Sequence, residues 1–584
     1  MTPISFEGGS AAGGMCGILA RFEDARNYLA LVLDRDGQLK LLRRREDVLE
    51  VIAAKPVEFC LGQSLTLTLI VQGNQATGTA GPYSGATNIQ ANIDLPRSDR
   101  QGGCVGFLAD IAARFGPLSV ECTEQEAARI KDALESRRKA LSAKRARYPG
   151  MRLERTFPLH KLVNGRNLRI ADINGDGKPE IIVAQSSPNV ASKWSLTRLT
   201  CLSVLDMDGK LLWQAGIPDA NAPLYHGELP FQIHDLYGDG GKVIVCVFGY
   251  DIQVRDGRTG RVLFSAATPE TVPVGSDFKE LTSNFGTAWG DETLNMNVAY
   301  IGFCNTQGNG GRREIIVKDE FHHLVVLDGI MLQPLFKHRG NHGRYPWVGD
   351  VDGDGKDEIL AGYSLIDEHG KSKWSLGLGD RPFAVAVLDP LAAGGTNKRV
   401  LLCAGAEGLL FFNSDAHVRK HLLPGSRLSQ GHNATLAVCK LRTDVPGLQI
   451  FSAGMGEAPG LFNLYDATGK RLWSKQIAAP GALAFPINWT GRAEELLMLP
   501  GAGLIDGHGD IVVDIPRNTS KIWYDVSAVF SADGRDHLLA WDQEELAVYA
   551  ADDKVTGPVY KPVRPNPENA SAYRAQLSLP PGWE

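Results

Sequence analysis

Val204-Leu205-Asp206-Met207-Asp208-Gly209-Lys210-Leu211-Leu212-Trp213 decides the fold. Apolar residues lead into an aspartate, a polar stretch with glycine reverses the chain, and an apolar pair ending in an aromatic ring follows. This is a β-hairpin, with glycine supplying the positive φ that a tight reversal requires. The pattern returns at Val254-Arg255-Asp256…Leu263-Phe264, Val326-Leu327-Asp328…Leu335-Phe336, Leu365-Ile366-Asp367…Trp374 and Phe411-Phe412-Asn413…Leu422. It continues at Leu464-Tyr465-Asp466…Leu472-Trp473, Leu504-Ile505-Asp506…Val512 and Val548-Tyr549-Ala550. Counted from Asp206, the intervals are 50, 72, 39, 46, 53, 40 and 44 residues. No copy holds an amphipathic helix pair, which excludes helical solenoids. Units of this length made of short strands predict an all-β propeller of eight blades, or seven if one hairpin lies outside the ring.

Two stretches carry the most specific chemistry. Asp172-Ile-Asn174-Gly-Asp176-Gly-Lys178-Pro-Glu180 and Asp350-Val-Asp352-Gly-Asp354-Gly-Lys356-Asp-Glu358 each precede an apolar run. Oxygens from positions 1, 3, 5 and 9, with the backbone carbonyl of Lys178 or Lys356 at position 7, suit a hard cation at about 2.3–2.6 Å. No helix pattern flanks them, so they are not EF-hands. They resemble the loops of integrin-like calcium propellers, which implies two structural Ca2+ sites. The related stretches Asp235–Asp239 and Asp533–Asp536 lack several ligand positions.

Composition sets the limits. The 584 residues are 43% hydrophobic and 22% charged, ordinary for a globular chain. Lys+Arg 61 against Asp+Glu 67 gives −6, so nothing global favours a nucleic-acid partner. Gly 65 and Pro 31 fit a turn-rich protein. The nine cysteines are scattered without zinc-ligand spacing and read mostly as small buried hydrophobes. No apolar run reaches the roughly 18 residues of a membrane span. The start MTPISFEGGSAAGG shows no leader. The expectation is a monomer, secreted or periplasmic, whose leader has been removed.

Residues 1–122 alternate apolar and polar positions in short runs such as Cys16–Phe22, Tyr28–Leu33 and Leu65–Gln72, separated by turns such as Asp34-Arg35-Asp36-Gly37. This predicts a β-sandwich. The runs GILARFEDARNYLALVLDRDGQLKLLRR and GGCVGFLADIAARFGPLSV resemble concanavalin-like jelly-roll domains. Thr123 caps a predicted linker helix over 123–150, with Ile130, Leu134 and Leu141 on one face and basic residues crowding its C-terminal half. The propeller is expected over 151–562, and 563–584 as a C-terminal tail packing on it.

The inner strand of each blade lines the axis, and the segments leading into it shape one face. Asn341-His342-Gly343-Arg344-Tyr345-Pro346-Trp347 offers a base, a fixed cation, a phenol and a stacking ring within seven residues. Arginine clamps a carboxylate with two prongs, and aromatic rings receive the C–H faces of sugars. Tyr225-His226-Gly227-Glu228, with Gln232 and His234, has the same placement. His322, Arg381 and His432 occupy comparable positions and complete the expected substrate contacts together with His234 and Trp347.

The segments RYPWVGDVDGDGKDEILAGYSLIDEHGKSKW, REIIVKDEFHHLVVLD and GHNATLAVCKLRTDVPGLQIFSAG resemble β-propeller polysaccharide lyases of the rhamnogalacturonan lyase and L-rhamnose-α-1,4-D-glucuronate lyase types. The resemblance spans roughly 160–560. It implies an exported carbon–oxygen lyase acting on an acidic polysaccharide or oligosaccharide. Such a lyase removes the proton beside a uronate carboxylate and expels the 4-linked oxygen, so the carboxylate must be neutralised. On this reading Arg344 takes the carboxylate, His226 or His342 takes the proton, and Tyr345 serves as acid or alternate base. A glycan-binding propeller without catalysis, or a glycoside hydrolase using carboxylates such as Glu228, Glu320 or Glu407, stays open.

Overall fold

The computed structural model describes residues 2–6, 14–45, 48–58, 64–81, 87–92, 103–187, 198–225, 227–270, 295–378, 382–388, 399–405, 408–413, 415, 418–424, 432–455, 460–477, 483–516, 521–527, 529–555, 557–562, 569 and 576–579. The chain divides into two compact units. One comprises residues 1–143 with 426–431 and 474–477; the other comprises 144–425, 432–473 and 478–584. The protein is all-β, and Glu124–Arg145 is the one α-helix among the described residues.

Among the described residues the first unit holds two five-stranded sheets. Their strands alternate as the sequence does: Leu65 and Leu67, Leu39 and Leu41, and Leu29, Leu31 and Leu33 share one core with Ile4, Cys16 and Ile18. The strand Asn27–Asp34 is buried on both faces, and its other residues, Tyr28, Ala30 and Val32, form a smaller cluster with Leu42. The turn after it closes as expected, with the Asp34 carboxylate accepting the Gln38 N–H at 2.8 Å and Gly37 at φ 80°. The helix opens on a reciprocal cap: the Thr123 hydroxyl accepts the Glu126 N–H at 3.2 Å, and Glu126 accepts from Thr123. None of its residues is buried, and Ile130 and Leu134 are exposed. Apolar residues this sparse are too few to bury a face.

From Met151 on, eight sheets follow one another among the described residues, antiparallel but for one strand added to the fifth. In sheets one to seven the first four strands keep chain order; sheet one is Leu168–Ala171, Glu180–Ser187, Arg198–Leu205 and Leu211–Gly216. The recurring hairpins of the sequence are the third and fourth strands of these sheets. The eighth copy lacks the second half of its hairpin because its partner comes from elsewhere: Glu545–Ala551 pairs with Met151–Pro158 from the start of the repeats. The first strands of successive sheets touch from Phe231–His234 through Tyr300–Cys304, Trp347–Gly349, Ala384–Leu388, His432–Cys439 and Phe485–Ile487 to Trp523–Ser527.

Second strands are the most hydrophobic: Ile181–Ala184, Val243–Cys246 and Ile315–Val317 are buried on both faces because a neighbouring sheet packs on each. Each such side chain stabilises by about 1.5–3 kcal/mol. Of the tail, Gln576–Leu579 pairs in parallel with Ala384–Leu388, and the Asn569 side chain exchanges two hydrogen bonds with the Ile233 backbone. Among the described residues no cysteine is bridged, and Cys16, Cys201, Cys246, Cys304, Cys403 and Cys439 are buried.

Candidate active site

Segments leading into the first strands of sheets one, two, four and five meet the turn between the second and third strands of sheet three. Buried amides hold the first two in place. Asn164 donates to the Ser186 and Pro223 carbonyls at 2.8 and 2.9 Å, and Asn167 accepts the Leu229 N–H at 2.8 Å and donates to the Gly227 carbonyl at 3.0 Å. Gly165 lies so close to the Tyr225 carbonyl that a Cβ would stand 2.2 Å from its oxygen, so only glycine fits. These contacts fix Arg166 and Glu228 on facing segments, with Arg166 Nη2 at 3.6 Å from Glu228 Oε1.

Glu228 is the centre of the charge cluster. The Tyr345 phenol hydrogen-bonds its carboxylate, and burial raises the Glu228 pKa against the fields of Arg166, Arg344 and Arg169. Burial and the Glu228 charge together push the Tyr345 phenol well above its ordinary value, so it keeps its proton at neutral pH. Arg344 lies 3.4 Å from Glu320, over the Phe383 ring at 5.6 Å, with its N–H donating to the Pro382 carbonyl at 3.2 Å. Its side chain is 37% exposed. Arg169 lies 4.6 Å over Phe231.

The turn of sheet three is built on opposite charges. Lys318, fully buried at the end of Glu314–Lys318, donates from Nζ to the Asp319 and Glu320 carbonyls at 2.7 Å each. Burial lowers its pKa to about 8. Asp319 accepts the backbone N–H groups of Phe321, His322 and His323 and bonds His323 Nδ1 at 2.6 Å. Burial works against its charge, yet these bonds and Lys318 hold the Asp319 carboxyl well below the usual carboxylate range. The turn thereby presents Glu320 and a half-buried His322, whose pKa burial lowers.

His342 is wholly buried, its Nε2 2.7 Å from His338 Nδ1, while His338 Nε2 reaches Ser372 Oγ at 2.8 Å. Burial, with Lys318 nearby, takes the His342 pKa well below the ordinary histidine value. Its Nδ1 has no hydrogen-bond partner among the described residues.

The acidic loops lie at the other end of the first strands. In the first, Asp172 accepts the Gly175 and Gly177 N–H groups at 2.7 and 2.9 Å, Asn174 and Asp176 accept those of Asp176 and Lys178, and Glu180 accepts that of Ile173 at 2.9 Å. The second repeats this with Asp350, Asp354 and Glu358. Oxygens of Asp350, Asp352 and Glu358 lie within 4.8 Å of one another, a donor set suited to a hard cation. Lys373 Nζ, however, stands 2.6 Å from Asp352 and 2.7 Å from Glu358.

No protein-family model matches the chain. In sequence it is 30% identical over 257 residues to the rhamnogalacturonan endolyase YesW of Bacillus subtilis, covering 36% of this chain and 39% of that protein. It is 25% identical over 279 residues to the rhamnogalacturonan exolyase YesX of the same organism, covering 38% and 42%. These matches span about two-fifths of the length of the curated relatives. In structure, rhamnogalacturonan lyase YesW aligns over 96% of both chains with TM-score 0.51 and 16% identity. The Bacillus licheniformis rhamnogalacturonan lyase PL11 aligns over 88% of this chain and 94% of its own with TM-score 0.51 and 16% identity. The chain has the rhamnogalacturonan lyase fold.

Within that fold, Arg344, Tyr345, His322 and His342 come together as one neighbourhood. His234 does not join them: it bonds the Arg312 carbonyl at 2.7 Å and stacks on Phe303 at 4.1 Å. Trp347, 5% exposed, packs with Leu360, Tyr363 and Val385 in a core between sheets. His226 and Arg381 lie outside the described residues, as does the side chain of His432, which opens the strand His432–Cys439. Arg166, Lys318 and Asp319 escaped the sequence reading. Arg166 was legible as a charge two residues before a first strand, as Arg344 is three before its own. Lys318 was legible as the lysine ending an apolar strand, Ile315–Val317.

Proposed function

We propose that the chain is a polysaccharide lyase that cleaves a rhamnogalacturonan-type, uronate-containing glycan by β-elimination. The observation that carries this is the meeting of Arg344, Arg166, Glu228 and Tyr345 from three different sheets. A uronate carboxylate entering there is neutralised by the half-exposed Arg344, which lowers the cost of removing the adjacent proton. Tyr345 retains its proton and suits donation to the leaving oxygen. His342 is sealed from solvent and acts as support. His322 reaches the surface as a neutral imidazole and so takes the proton, alone or with His226. The similarity to YesW and YesX supports the same substrate class.

The finer architecture belongs to this reading. The eight sheets are the blades of a propeller, supported by the touching first strands and by the closure of the last sheet with the strand from the start of the repeats. Calcium binds as a structural ion, with the Asp172 loop as its site, where Asp172, Asn174, Asp176, Glu180 and the Lys178 carbonyl would hold it. The protein works as a monomer, secreted or periplasmic, where its polymer is found; no helix among the described residues is long and apolar enough to cross a membrane.

Incubation of the full chain with rhamnogalacturonan I tests the reaction. The expected result is a rise in ultraviolet absorbance from an unsaturated uronate at the new non-reducing end. New reducing ends without that chromophore would instead establish hydrolysis, and binding without products would leave a glycan-binding propeller.

A further inference from the structure

We propose that Lys373 is a built-in cation that replaces calcium in the Asp350 loop, so that two nearly identical nonapeptides hold one metal ion between them rather than two. The ammonium lies 2.6 Å from Asp352 Oδ2 and 2.7 Å from Glu358 Oε1, bridging two of the three carboxylates gathered there. Glu358 is fully buried, so its charge requires a partner inside the fold. A second, independent observation is the place Lys373 holds in its hairpin. In sheet four Leu365 pairs with Trp374 and Ile366 with Ser372, which leaves Lys373 as the extra residue of a β-bulge. The same bulge recurs in sheets one, two, three, five and seven, and the extra residue there is Leu212, Leu263, Leu335, Arg419 and Val512.

The bulge residue is thus apolar in sheets one, two, three and seven and basic in sheets four and five, and of these two only sheet four carries a complete acidic loop. Sheet one, which carries the other complete acidic loop, has Leu212 there, and among the described residues no ammonium is bonded to Glu180; its Oε1 instead accepts from the Asn174 amide at 2.6 Å. A tethered ammonium beside Asp352 and Glu358 repels a divalent ion and has already satisfied the oxygens that ion would use. The inference goes beyond the proposed function, since catalysis does not pass through this loop.

Calcium titration of the full chain after chelator treatment tests it, with Ca2+ itself as the probe. Lys373→Leu, which restores the residue of sheet one, is expected to bind one more calcium per chain than the unaltered protein, and its melting temperature becomes calcium-dependent through that ion. Asp352→Asn in the unaltered background is expected to leave the bound calcium unchanged, whereas Asp172→Asn lowers it. An Asp352→Asn chain that binds less calcium, or a Lys373→Leu chain that gains none, overturns the proposal. Should Lys373→Leu fold only when calcium is present, that rescue is itself the gained site. An unaltered chain that binds no calcium overturns only the reading of the Asp172 loop, and the Lys373→Leu titration still decides this one.

Discussion

Before the three-residue strand Trp347–Gly349 come Arg344 and Tyr345; after it comes Asp350. The charges at its two ends are satisfied in opposite ways. At the loop end Asp350 and Glu358 take backbone N–H groups of their own nonapeptide, and Lys373 of the same sheet bridges Asp352 and Glu358. At the other end the partners come from afar: Tyr345 meets Glu228 of sheet two, which faces Arg166 of sheet one, and Arg344 meets Glu320 of sheet three. Carboxylates satisfied within one sheet make a rigid corner. Charges pooled from several sheets, with an arginine half in solvent, make a place where a charged ligand exchanges with protein partners.

If that contrast holds, substitutions at the Arg344 end remove activity and spare the fold, and those at the loop end do the reverse. Arg344→Ala is expected to lower kcat/KM on rhamnogalacturonan about 1,000-fold, with the urea midpoint close to that of the unaltered chain. Arg344→Lys recovers little of this, because an ammonium lacks the two-pronged geometry. Tyr345→Phe is expected to cut kcat about 100-fold with KM little changed; an unaltered kcat would remove the phenol from the proton transfers.

The loop end gives the mirror image. Asp172→Asn weakens two charge-assisted bonds to backbone N–H groups and is expected to cost about 1–2 kcal/mol in denaturant unfolding. Turnover per folded molecule should not change. A large fall in kcat with full stability would mean that the loops, not the charge cluster, carry the chemistry.

The smallest effect concerns the buried ammonium of the sheet-three turn. The pKa of Lys318 falls from 10.5 in the open chain to about 8 in the fold. The unfolded chain therefore holds more protons between those values, and the Lys318 contribution to stability is present above 10.5 and is lost as pH falls through 8. Compared with Lys318→Met, the unaltered chain should gain about 1 kcal/mol in unfolding free energy from pH 8 to pH 9. A difference independent of pH would mean that Lys318 titrates normally.

The two ends also differ in how far the sequence revealed them. Hairpins and acidic loops are local, written in residues two to nine apart, and the spacing of Val204–Trp213 and its copies marked the third and fourth strands. Arg344 and Tyr345 were visible because they precede a first strand. Glu228 and Glu320 were named as candidates, but Arg166 and the meeting of these groups with Arg344 and Tyr345 were not visible, because separate sheets must pack to bring them together and no period in the chain encodes that. Trp347 shows the converse limit: an aromatic ring beside a site reads as a sugar platform until packing places it in a core. Lys373 was legible in principle, as a basic residue at the bulge position of a hairpin whose sheet also carries a complete acidic loop.

The most direct test of the central claim is the mass of the oligosaccharides released from rhamnogalacturonan I by the unaltered chain and by Arg344→Ala. Elimination at the Arg344–Tyr345–Glu228 cluster predicts products lighter by one water than hydrolysis products, formed by the unaltered chain and nearly lost in Arg344→Ala. Products carrying that extra water, or dehydrated products formed equally well by Arg344→Ala, would contradict it.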